Sequence, residues 1–206
     1  MRIFLTRHGQ TKYNLENRFQ GQKDSPLTTK GIKAAEALRD YLKEEDIDFV
    51  VSSPLARARL TAEIIKGEKK WPVYYYQEFM ELDFGDWEAA YIPEIENHAL
   101  YQLLHKTPEK FQAPNGESLV ELKKRVVKQL KFLHQNNPDK SILLVVHGIV
   151  IRVLLTYFYQ SGLSNFYNLK YPYGCSLSLI DYQDDDNITV IFESEISHLN
   201  SEVLTR

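Results

Sequence analysis

The chain has 206 residues, a formal net charge of −3 and a single cysteine, and hydrophobic residues make up 43% of it. This composition is typical of a globular protein, and we expect residues 1–206 to form a single domain. The net charge disfavours binding to nucleic acid, which usually requires a basic surface, and one cysteine excludes a disulfide within the chain.

The N-terminal part of the chain predicts a buried strand followed by a helix. Residues 3–5 are apolar, and this run meets Arg7 too early for a secretion signal, so we expect a cytoplasmic protein. Residues 28–45 carry apolar side chains at helical spacing, and Thr28 or Thr29 can cap the helix.

A second strand and helix follow directly. Residues 47–54 form an apolar run that ends in proline, and residues 55–66 predict a helix that Gly67 ends. Residues 73–79 are rich in tyrosine and predict a strand at an edge of the sheet.

Residues 86–116 have a different pattern from the rest of the chain. They contain Pro93, Pro108 and Pro114 between short pieces of helical periodicity. We interpret them as an irregular helical insert that forms a cap over a cleft. The alternative is an irregular structural segment that has no function.

The remaining elements repeat the alternation of strands and helices. Residues 118–134 predict a helix with a capping box from Ser118 and Glu121, and residues 141–148 predict a third strand. Residues 149–159 are apolar nearly all round, which predicts a buried helix too short to cross a membrane. The last predicted elements are two strands of a hairpin, within residues 175–182 and 188–193. Alternating strands and helices predict an α/β layered fold with a mainly parallel sheet.

The predicted strands end in polar residues. The first strand ends in Arg7 and His8, and the third ends in His147. Arg57 follows the second strand after about one helical turn. The carboxyl ends of parallel strands lie along one edge of a sheet, where ligands bind, so we expect these side chains to converge. A glycine follows each histidine and allows the backbone to approach closely.

Converging arginines indicate an anionic ligand, because guanidinium groups repel each other unless an anion lies between them. The planar guanidinium matches the oxygens of phosphate or carboxylate, and a neutral histidine in such a site can act as a nucleophile. A proton donor is also required. Candidates in the segment 80–88 are Glu81, Asp83, Asp86 and Glu88, and apolar neighbours would raise the pKa of such a carboxyl.

Sequence blocks along most of the chain, from residue 1 to about residue 180, resemble those of the histidine phosphatase superfamily, in particular its small bacterial phosphatases. The blocks occur in the family's order and are RHGQT (7–11) with Asn14, SSPLARARLTA (52–62), ELDFGDWE (81–88), NGES (115–118) and VVHG (145–148). The resemblance implies a three-layer α/β/α sandwich with a mainly parallel central sheet, and catalysis without a metal ion or another cofactor.

The resemblance also implies roles for the matched residues. His8 is the expected nucleophile that becomes phosphohistidine. Glu81 is the expected proton donor, and Asp83 is the alternative, because both face the same side of an extended segment. Gln20 and Gly21 match the loop that lines the phosphate or substrate. The expected phosphate pocket consists of Arg7, Asn14, Arg57 and a protonated His147.

These roles predict a metal-independent phosphomonoesterase that acts on a small-molecule phosphate ester through phosphohistidine. One alternative is a cofactor-dependent phosphoglycerate mutase, which is disfavoured because residues 86–116 contain no arginine where the mutases have a pair. Another is a non-catalytic phosphate-binding or regulatory protein, which would need neither a nucleophile nor an acid. Sugar phosphates, phosphoglycerates, nucleotides and a cobalamin-precursor phosphate are all candidate substrates. Aromatic residues of the insert are expected to select among them, namely Tyr91, Tyr101 and Phe111.

Overall fold

A six-stranded, mainly parallel sheet forms the centre of the protein, as the sequence predicts. The structure is a computed structural model that describes residues 1–205. The strands are β1 (Arg2–Arg7), β2 (Phe49–Ser52), β3 (Val73–Tyr75), β4 (Ser141–Val146), β5 (Leu177–Tyr182) and β6 (Ile188–Glu195). They lie in the order β3-β2-β4-β1-β5-β6. The neighbours from β3 to β1 run parallel, whereas β5 is antiparallel to both β1 and β6.

Helices cover both faces of this sheet and confirm the three-layer prediction. They are α1 (Lys12–Leu15), α2 (Thr29–Tyr41), α3 (Ala56–Lys66), α4 (Ile92–Ile95), α5 (Ala99–Lys106), α6 (Leu119–Asn136) and α7 (Gly148–Phe158). Helices α2 and α3 share a buried apolar cluster with one face of the sheet. Helices α6 and α7 share a second cluster with the other face.

Strand β4 explains why the central strands are apolar without alternation. Ile142, Leu144 and Val146 belong to the cluster with α6 and α7. Leu143 and Val145 belong to the cluster with α2 and α3. Successive side chains of a strand point to opposite faces, and both faces of this strand are buried, so every position is apolar.

Helix α7 is buried on almost all sides, as the apolar run 149–159 predicts. Every residue of the helix except Tyr157 is buried. Within the described part of the chain, no helix combines the length and the apolar character that a membrane span requires.

Helix α2 is shorter than predicted from residues 28–45. The side chain of Thr28 accepts a hydrogen bond from the backbone amide of Gly31 and caps the helix, which confirms one of the two predicted caps. The helix ends at Tyr41. Leu42 is its buried C-cap residue, and the chain then turns towards β2.

The predicted edge strand over residues 73–79 is confirmed in position and is shorter. Strand β3 lies at the edge of the sheet beside β2 and ends at Tyr75. A 3-10 turn, Gln77–Phe79, follows it. The side chain of Phe79 is fully buried, so the chain leaves the sheet edge to place this ring in the core.

Residues 86–116 consist of short helical pieces. Helices α4 and α5 lie between two 3-10 turns, Gly85–Trp87 and Pro108–Lys110. Proline occupies the first turn of α4 and of the second 3-10 turn, where the missing backbone N–H costs no hydrogen bond. Leu104 and Phe111 are buried in the same cluster as α6 and α7.

Helix α6 begins with the predicted capping box. The Oγ of Ser118 accepts a hydrogen bond from the backbone amide of Glu121 at 3.2 Å. The Oε2 of Glu121 accepts one from the backbone amide of Ser118 at 2.9 Å. Two backbone N–H groups that the helix itself leaves without partners are satisfied in this way.

Replacing Ser118 with alanine removes one side of this box. We expect the free energy of unfolding to fall by about 1 kcal/mol, measured by urea denaturation. Ser201→Ala, at an exposed serine outside the helices, is the matched control and should change the free energy by less than about 0.5 kcal/mol. Equal effects of the two substitutions would contradict a stabilising cap.

Candidate active site

A cavity of about 280 Å³ lies where the chain leaves β1, β2 and β4. Its lining includes residues that follow each of these strands, as expected for ligand sites in parallel sheets. The sequence-predicted residues that line it are Arg7, His8, Asn14, Gln20, Gly21, Arg57 and Glu81. Seven of the eight predicted site residues therefore line one cavity, and the eighth, His147, lies directly beside His8.

His8 has an unprotonated ring nitrogen beside Arg57. Its Nδ1 lies 2.7 Å from the carbonyl oxygen of Gly9, and a carbonyl can only accept, which assigns the proton to Nδ1. The Nε2 then holds a lone pair and accepts a hydrogen bond from Nε of Arg57 at 3.3 Å. Burial, followed by the charges of Arg57 and Arg7, lowers the pKa of His8 well below its usual value of 6.5. The imidazole is therefore neutral near pH 7, as a nucleophile must be.

The glycines that follow the two histidines allow close packing at this site. A Cβ atom on Gly9 would lie 2.5 Å from the backbone oxygen of Gly31 in α2. A Cβ atom on Gly148 would lie 2.4 Å from the hydroxyl oxygen of Tyr171. The predicted close approach of two backbones is therefore found at Gly9, whereas the close neighbour of Gly148 is the end of the Tyr171 side chain.

The guanidinium of Arg57 is held by a loop that comes before α2 in the chain. Its Nη1 donates to the carbonyl oxygen of Lys23 at 2.9 Å and to Oδ1 of Asp24 at 2.8 Å. Its Nη2 donates to the carbonyl oxygen of Gly21 at 2.6 Å. Burial lowers the pKa of Arg57, and the negative charges of Asp24 and Glu81 oppose this shift. The loop therefore fixes the guanidinium next to His8.

Asp24 has a second function, because it also binds the start of α3. Its Oδ2 accepts a hydrogen bond from the backbone amide of Ala56 at 2.8 Å. Leu55, the N-cap residue of α3, offers no side-chain acceptor, and a carboxylate is favourable at a helix N-terminus. Asp24 and Arg57 lie 33 positions apart, so no local sequence pattern identifies the pair.

Only one of the four acidic candidates, Glu81, lines the cavity. Asp83 accepts a backbone hydrogen bond within its own turn at 2.8 Å, and Asp86 accepts one from an asparagine side chain at 2.9 Å. Glu88 accepts hydrogen bonds from the backbone amides of residues 22–23 at 2.6 and 3.0 Å. Across residues 1–205, no group of three or more metal-ligating side chains could hold a metal ion.

The carboxyl of Glu81 is buried at the start of α7. Its Oε1 accepts from the backbone amide of Leu82 at 2.9 Å, and its Oε2 accepts from that of Ile149 at 3.2 Å. Burial raises the pKa of Glu81, and this effect outweighs both hydrogen bonds and the positive charges of Arg57 and Arg7. The carboxyl can therefore carry a proton at a higher pH than an exposed glutamate.

His147 lies beside His8, although it is not among the residues that line the cavity. The two ring centroids are 5.2 Å apart. Its Nε2 lies 2.8 Å from Oγ of Ser53, and its Nδ1 has no hydrogen-bond partner among residues 1–205. Burial, and then the positive charge of Arg57, lower the pKa of His147 well below 6.5. His147 is therefore neutral in the free protein, because burial and nearby cations both oppose protonation, and its predicted protonated form would require the negative charge of a bound phosphate.

Arg7 keeps part of its hydrogen-bonding capacity. Its Nη1 donates to the carbonyl oxygen of Pro172 at 3.0 Å, and its guanidinium lies 4.9 Å from the ring centroid of Tyr171. Its Nε is buried and has no hydrogen-bond partner in the described part of the chain. Such a group is suited to an anionic ligand, because a buried donor without an acceptor is unfavourable.

Asn14 and Gln20 line the cavity and also form hydrogen bonds within the segments that carry them. The Oδ1 of Asn14 accepts hydrogen bonds from the backbone amide and the hydroxyl of Thr11, each at 3.1 Å, and closes the first turn of α1. Gln20 is buried, and its Oε1 accepts from Oγ of Ser25 at 3.4 Å. These contacts fix the loop that carries Gly21 at the cavity.

The three aromatic residues of the insert have different positions. Tyr101 lines the cavity. The ring of Tyr91 lies 3.7 Å from the guanidinium of Arg18 and is not part of the lining. Phe111 is fully buried and packs against Trp87, so it belongs to the core and not to the cavity wall.

Four further residues with polar side chains line the cavity without having been identified as site residues from the sequence. They are Arg18, Arg152, Tyr167 and Tyr171. The sequence does contain a signal for Arg152, because this charged residue interrupts an otherwise apolar helix. The two tyrosines follow α7 in a segment without strand or motif, so the sequence contains no local pattern that identifies them.

The fold and the cavity are those of an α/β enzyme of the phosphatase type, and similarity to known proteins supports this class. The chain belongs to the histidine phosphatase superfamily (branch 1), whose family model matches residues 3–194. It is 36% identical over 154 residues to the uncharacterized phosphatase PhoE of Bacillus subtilis, which covers 75% of each chain. It is 34% identical over 212 residues to the probable phosphoglycerate mutase GpmB of Escherichia coli, with 99% of this chain and 97% of the relative covered.

A solved structure has the same architecture. The chain is similar to YhfR of Bacillus stearothermophilus, with a TM-score of 0.91, 30% sequence identity, and coverage of 97% of this chain and 99% of the other. The resemblance read from the sequence blocks and the predicted fold class are therefore confirmed.

Replacing Asp24 with asparagine tests the support of Arg57. We expect kcat/KM for an aryl phosphate to fall by about ten- to a hundredfold, because the guanidinium loses its ion pair and its fixed position. Steady-state kinetics would measure the change. Asp46→Asn, at an exposed acid outside the cavity, is the control and should retain the wild-type value. A wild-type kcat/KM in Asp24→Asn would contradict this role of Asp24.

Proposed function

We propose that the protein is a metal-independent phosphomonoesterase that hydrolyses a small phosphorylated metabolite through a phosphohistidine at His8. The observation that carries the proposal is the pairing of a neutral His8 Nε2 with Arg57 in a cavity that also contains the buried carboxyl of Glu81. A nucleophile, an anion-binding group and a proton donor are then present within one site.

In the first step, Nε2 of His8 attacks phosphorus in line with the ester oxygen. The N–P bond forms as the P–O bond to the leaving alkoxide breaks, and Glu81 gives its proton to that oxygen. The Nε–H of Arg57 moves from Nε2 to a phosphoryl oxygen, and Arg7 donates to another. These donors stabilise the charge on the equatorial oxygens of the transition state.

In the second step, water attacks phosphorus of the phosphohistidine. The Glu81 carboxylate accepts a proton from the water, the N–P bond breaks, and its electron pair returns to Nε2. Inorganic phosphate leaves, and both His8 and Glu81 recover their starting protonation states. The negative charge of bound phosphate would also raise the pKa of the neighbouring His147, which allows it to donate a hydrogen bond.

Hydrolysis is favoured over the two alternatives. A mutase must hold a phosphorylated acceptor, and residues 86–116 contain no arginine for that purpose. The similarity to a probable phosphoglycerate mutase keeps this function as the second candidate. A non-catalytic binding protein would not require a buried proton donor beside a neutral histidine. With 3-phosphoglycerate supplied, release of inorganic phosphate would indicate hydrolysis, and formation of 2-phosphoglycerate would indicate a mutase.

We also propose that residues 86–116 act as a cap within a single domain and select the substrate, because Ile92, Tyr101 and Leu104 line the cavity. A cytoplasmic location fits the free thiol of Cys175, because free cysteines are usual in reducing compartments. Burial raises the pKa of this thiol to about 12.

His8→Ala removes the proposed nucleophile. We expect phosphate release to fall by at least about a thousandfold with the fold intact, as judged by circular dichroism. Wild-type turnover should be the same with and without a chelator. Retained turnover in His8→Ala would contradict the nucleophile assignment, and loss of wild-type activity with chelator would contradict metal independence.

Glu81→Gln removes the proton donor and leaves the volume nearly unchanged. Phosphorylation of the enzyme by an alkyl phosphate should slow by about 10²- to 10⁴-fold. It should slow much less with p-nitrophenyl phosphate, whose leaving group needs no proton. For the wild type with alkyl phosphates, this rate should fall as pH rises through the raised pKa of Glu81, and the substitution should abolish that decrease.

Asp83→Asn is the matched control for this experiment, because Asp83 lies outside the cavity lining. Its ratio of rates for alkyl and aryl phosphates should equal that of the wild type. A selective loss with alkyl phosphates in Asp83→Asn, and not in Glu81→Gln, would assign the proton donor to Asp83.

A further inference from the structure

Glu81 lies in a segment that has no regular secondary structure. Residues 80–84 belong to no helix or strand and connect two 3-10 turns, Gln77–Phe79 and Gly85–Trp87. The backbone polar groups of such a segment need partners outside helices and strand ladders. Proton transfer also requires the carboxyl of Glu81 to lie within hydrogen-bond distance of the leaving oxygen. The main chain that carries this carboxyl must therefore be held by other parts of the protein.

Arg125 of α6 binds this part of the chain through three backbone carbonyl oxygens. Its Nη1 donates to the carbonyl oxygen of Glu78 at 2.6 Å and to that of Met80 at 2.8 Å. Its Nη2 donates to the carbonyl oxygen of Glu81 at 3.0 Å. The carbonyl oxygen of Glu81 also accepts from Nε2 of Gln22, at the longer distance of 3.4 Å. One guanidinium therefore holds the main chain of Glu81 and of the residues before it.

Glu117 orients the guanidinium of Arg125. Its Oε1 accepts from Nε of Arg125 at 2.6 Å, and its Oε2 accepts from Nη2 at 2.7 Å. This two-point contact fixes the plane of the guanidinium as well as its charge. The backbone amide of Glu117 donates to the carbonyl oxygen of Asp83 at 2.9 Å. Glu117 therefore binds the segment 80–84 directly and also through Arg125.

Every N–H group of the Arg125 guanidinium has an acceptor. A guanidinium has five such donors, of which Glu117 accepts two and the three carbonyl oxygens accept the others. The side chains of Arg125 and Glu117 are 22% and 15% exposed, and no other ion pair among residues 1–205 has both members buried to this extent. Solvent and salt screen such a pair less than a pair on the surface. A lysine could not replace this arginine, because an ammonium has only three donors and no planar fork.

We propose that Arg125 and Glu117 are positioning residues that hold the carboxyl of Glu81 where it can protonate the leaving group. Neither residue lines the cavity, so they act through Glu81 and not on the substrate. The carboxyl itself binds the backbone amide of Ile149 at the start of α7. Arg125 on α6 thus fixes the main chain of Glu81, and α7 fixes its side chain. The inference rests on the proposed acid function of Glu81 and adds the residues that support it.

Arg125→Lys keeps the positive charge and removes the planar fork and two of the five donors. We expect phosphorylation of the enzyme by an alkyl phosphate to slow by about ten- to a hundredfold, because a small displacement of the acid impairs proton transfer. The rate with p-nitrophenyl phosphate should change by less than about threefold, since its leaving group needs no proton. Rapid-quench kinetics measure both rates. No loss, or a loss at least as large with the aryl ester, would overturn the proposal, because a purely structural role does not distinguish leaving groups.

Two further variants complete this experiment. Glu117→Gln removes the ion pair and leaves Arg125 in place, and it should show the same selective loss with alkyl phosphates. Arg39→Lys is the matched control, because Arg39 forms an ion pair with Asp40 at 2.8 Å on the surface and does not line the cavity. Its ratio of alkyl to aryl rates should equal that of the wild type. A selective loss in Arg39→Lys, or none in Glu117→Gln, would overturn the specific role of the Arg125–Glu117 pair.

The backbone amide of Ile149 reports the position of the carboxyl without turnover. In the wild type, its ¹H–¹⁵N chemical shifts should change as Glu81 titrates, and Glu81→Gln should abolish this change. In Arg125→Lys we expect the change to fall to about half or less, because a displaced carboxyl no longer accepts from this amide with good geometry. An unchanged amplitude would overturn the proposal.

The kinetic results with Glu81→Gln separate this inference from the proposed function. Equal slowing of alkyl and aryl phosphates in Glu81→Gln would contradict the proposed acid. A selective loss in Glu81→Gln without one in Arg125→Lys would overturn only the positioning role of Arg125 and leave the phosphatase function intact.

Discussion

The buried guanidinium of Arg57 is the contact on which the rest of the cavity depends. It joins three parts of the chain: Nε2 of His8, the loop of residues 21–24, and the start of α3. Asp24 balances its charge and also accepts from the first amides of α3. The position of the loop and the environment of His8 are therefore fixed by the same interaction.

Burial in one cavity prepares His8 and Glu81 for opposite roles. Burial disfavours the charged form of any titratable group, so it lowers the pKa of His8 and raises that of Glu81. The positive charges of Arg57 and Arg7 lower the pKa of His8 further and partly offset the rise in the pKa of Glu81. A neutral nucleophile and a protonated acid can then coexist in one cavity, as proposed for hydrolysis in two steps.

The sequence predicts most of this framework because the relevant signals are local. Strong periodicity identifies α6 and α7, and polar residues at strand ends, supported by the order of the family's blocks, identify His8 and Arg57. Asp24 is not predicted, because its contact with Arg57 crosses 33 positions without a local pattern. The neutral state of His147 is not predicted either, since it depends on burial that only the folded chain produces. For the same reason the sequence does not identify Arg152 as a cavity residue, because only the folded chain shows which side chains surround it.

The stereochemistry at phosphorus tests the central claim most directly. Hydrolysis of a thiophosphate ester made chiral with oxygen isotopes, in isotopically labelled water, reports the number of displacements. Transfer to His8 and then to water is two in-line displacements, each of which inverts phosphorus, so the account predicts overall retention of configuration. Overall inversion would mean that water attacks the substrate directly, and it would contradict the phosphohistidine intermediate.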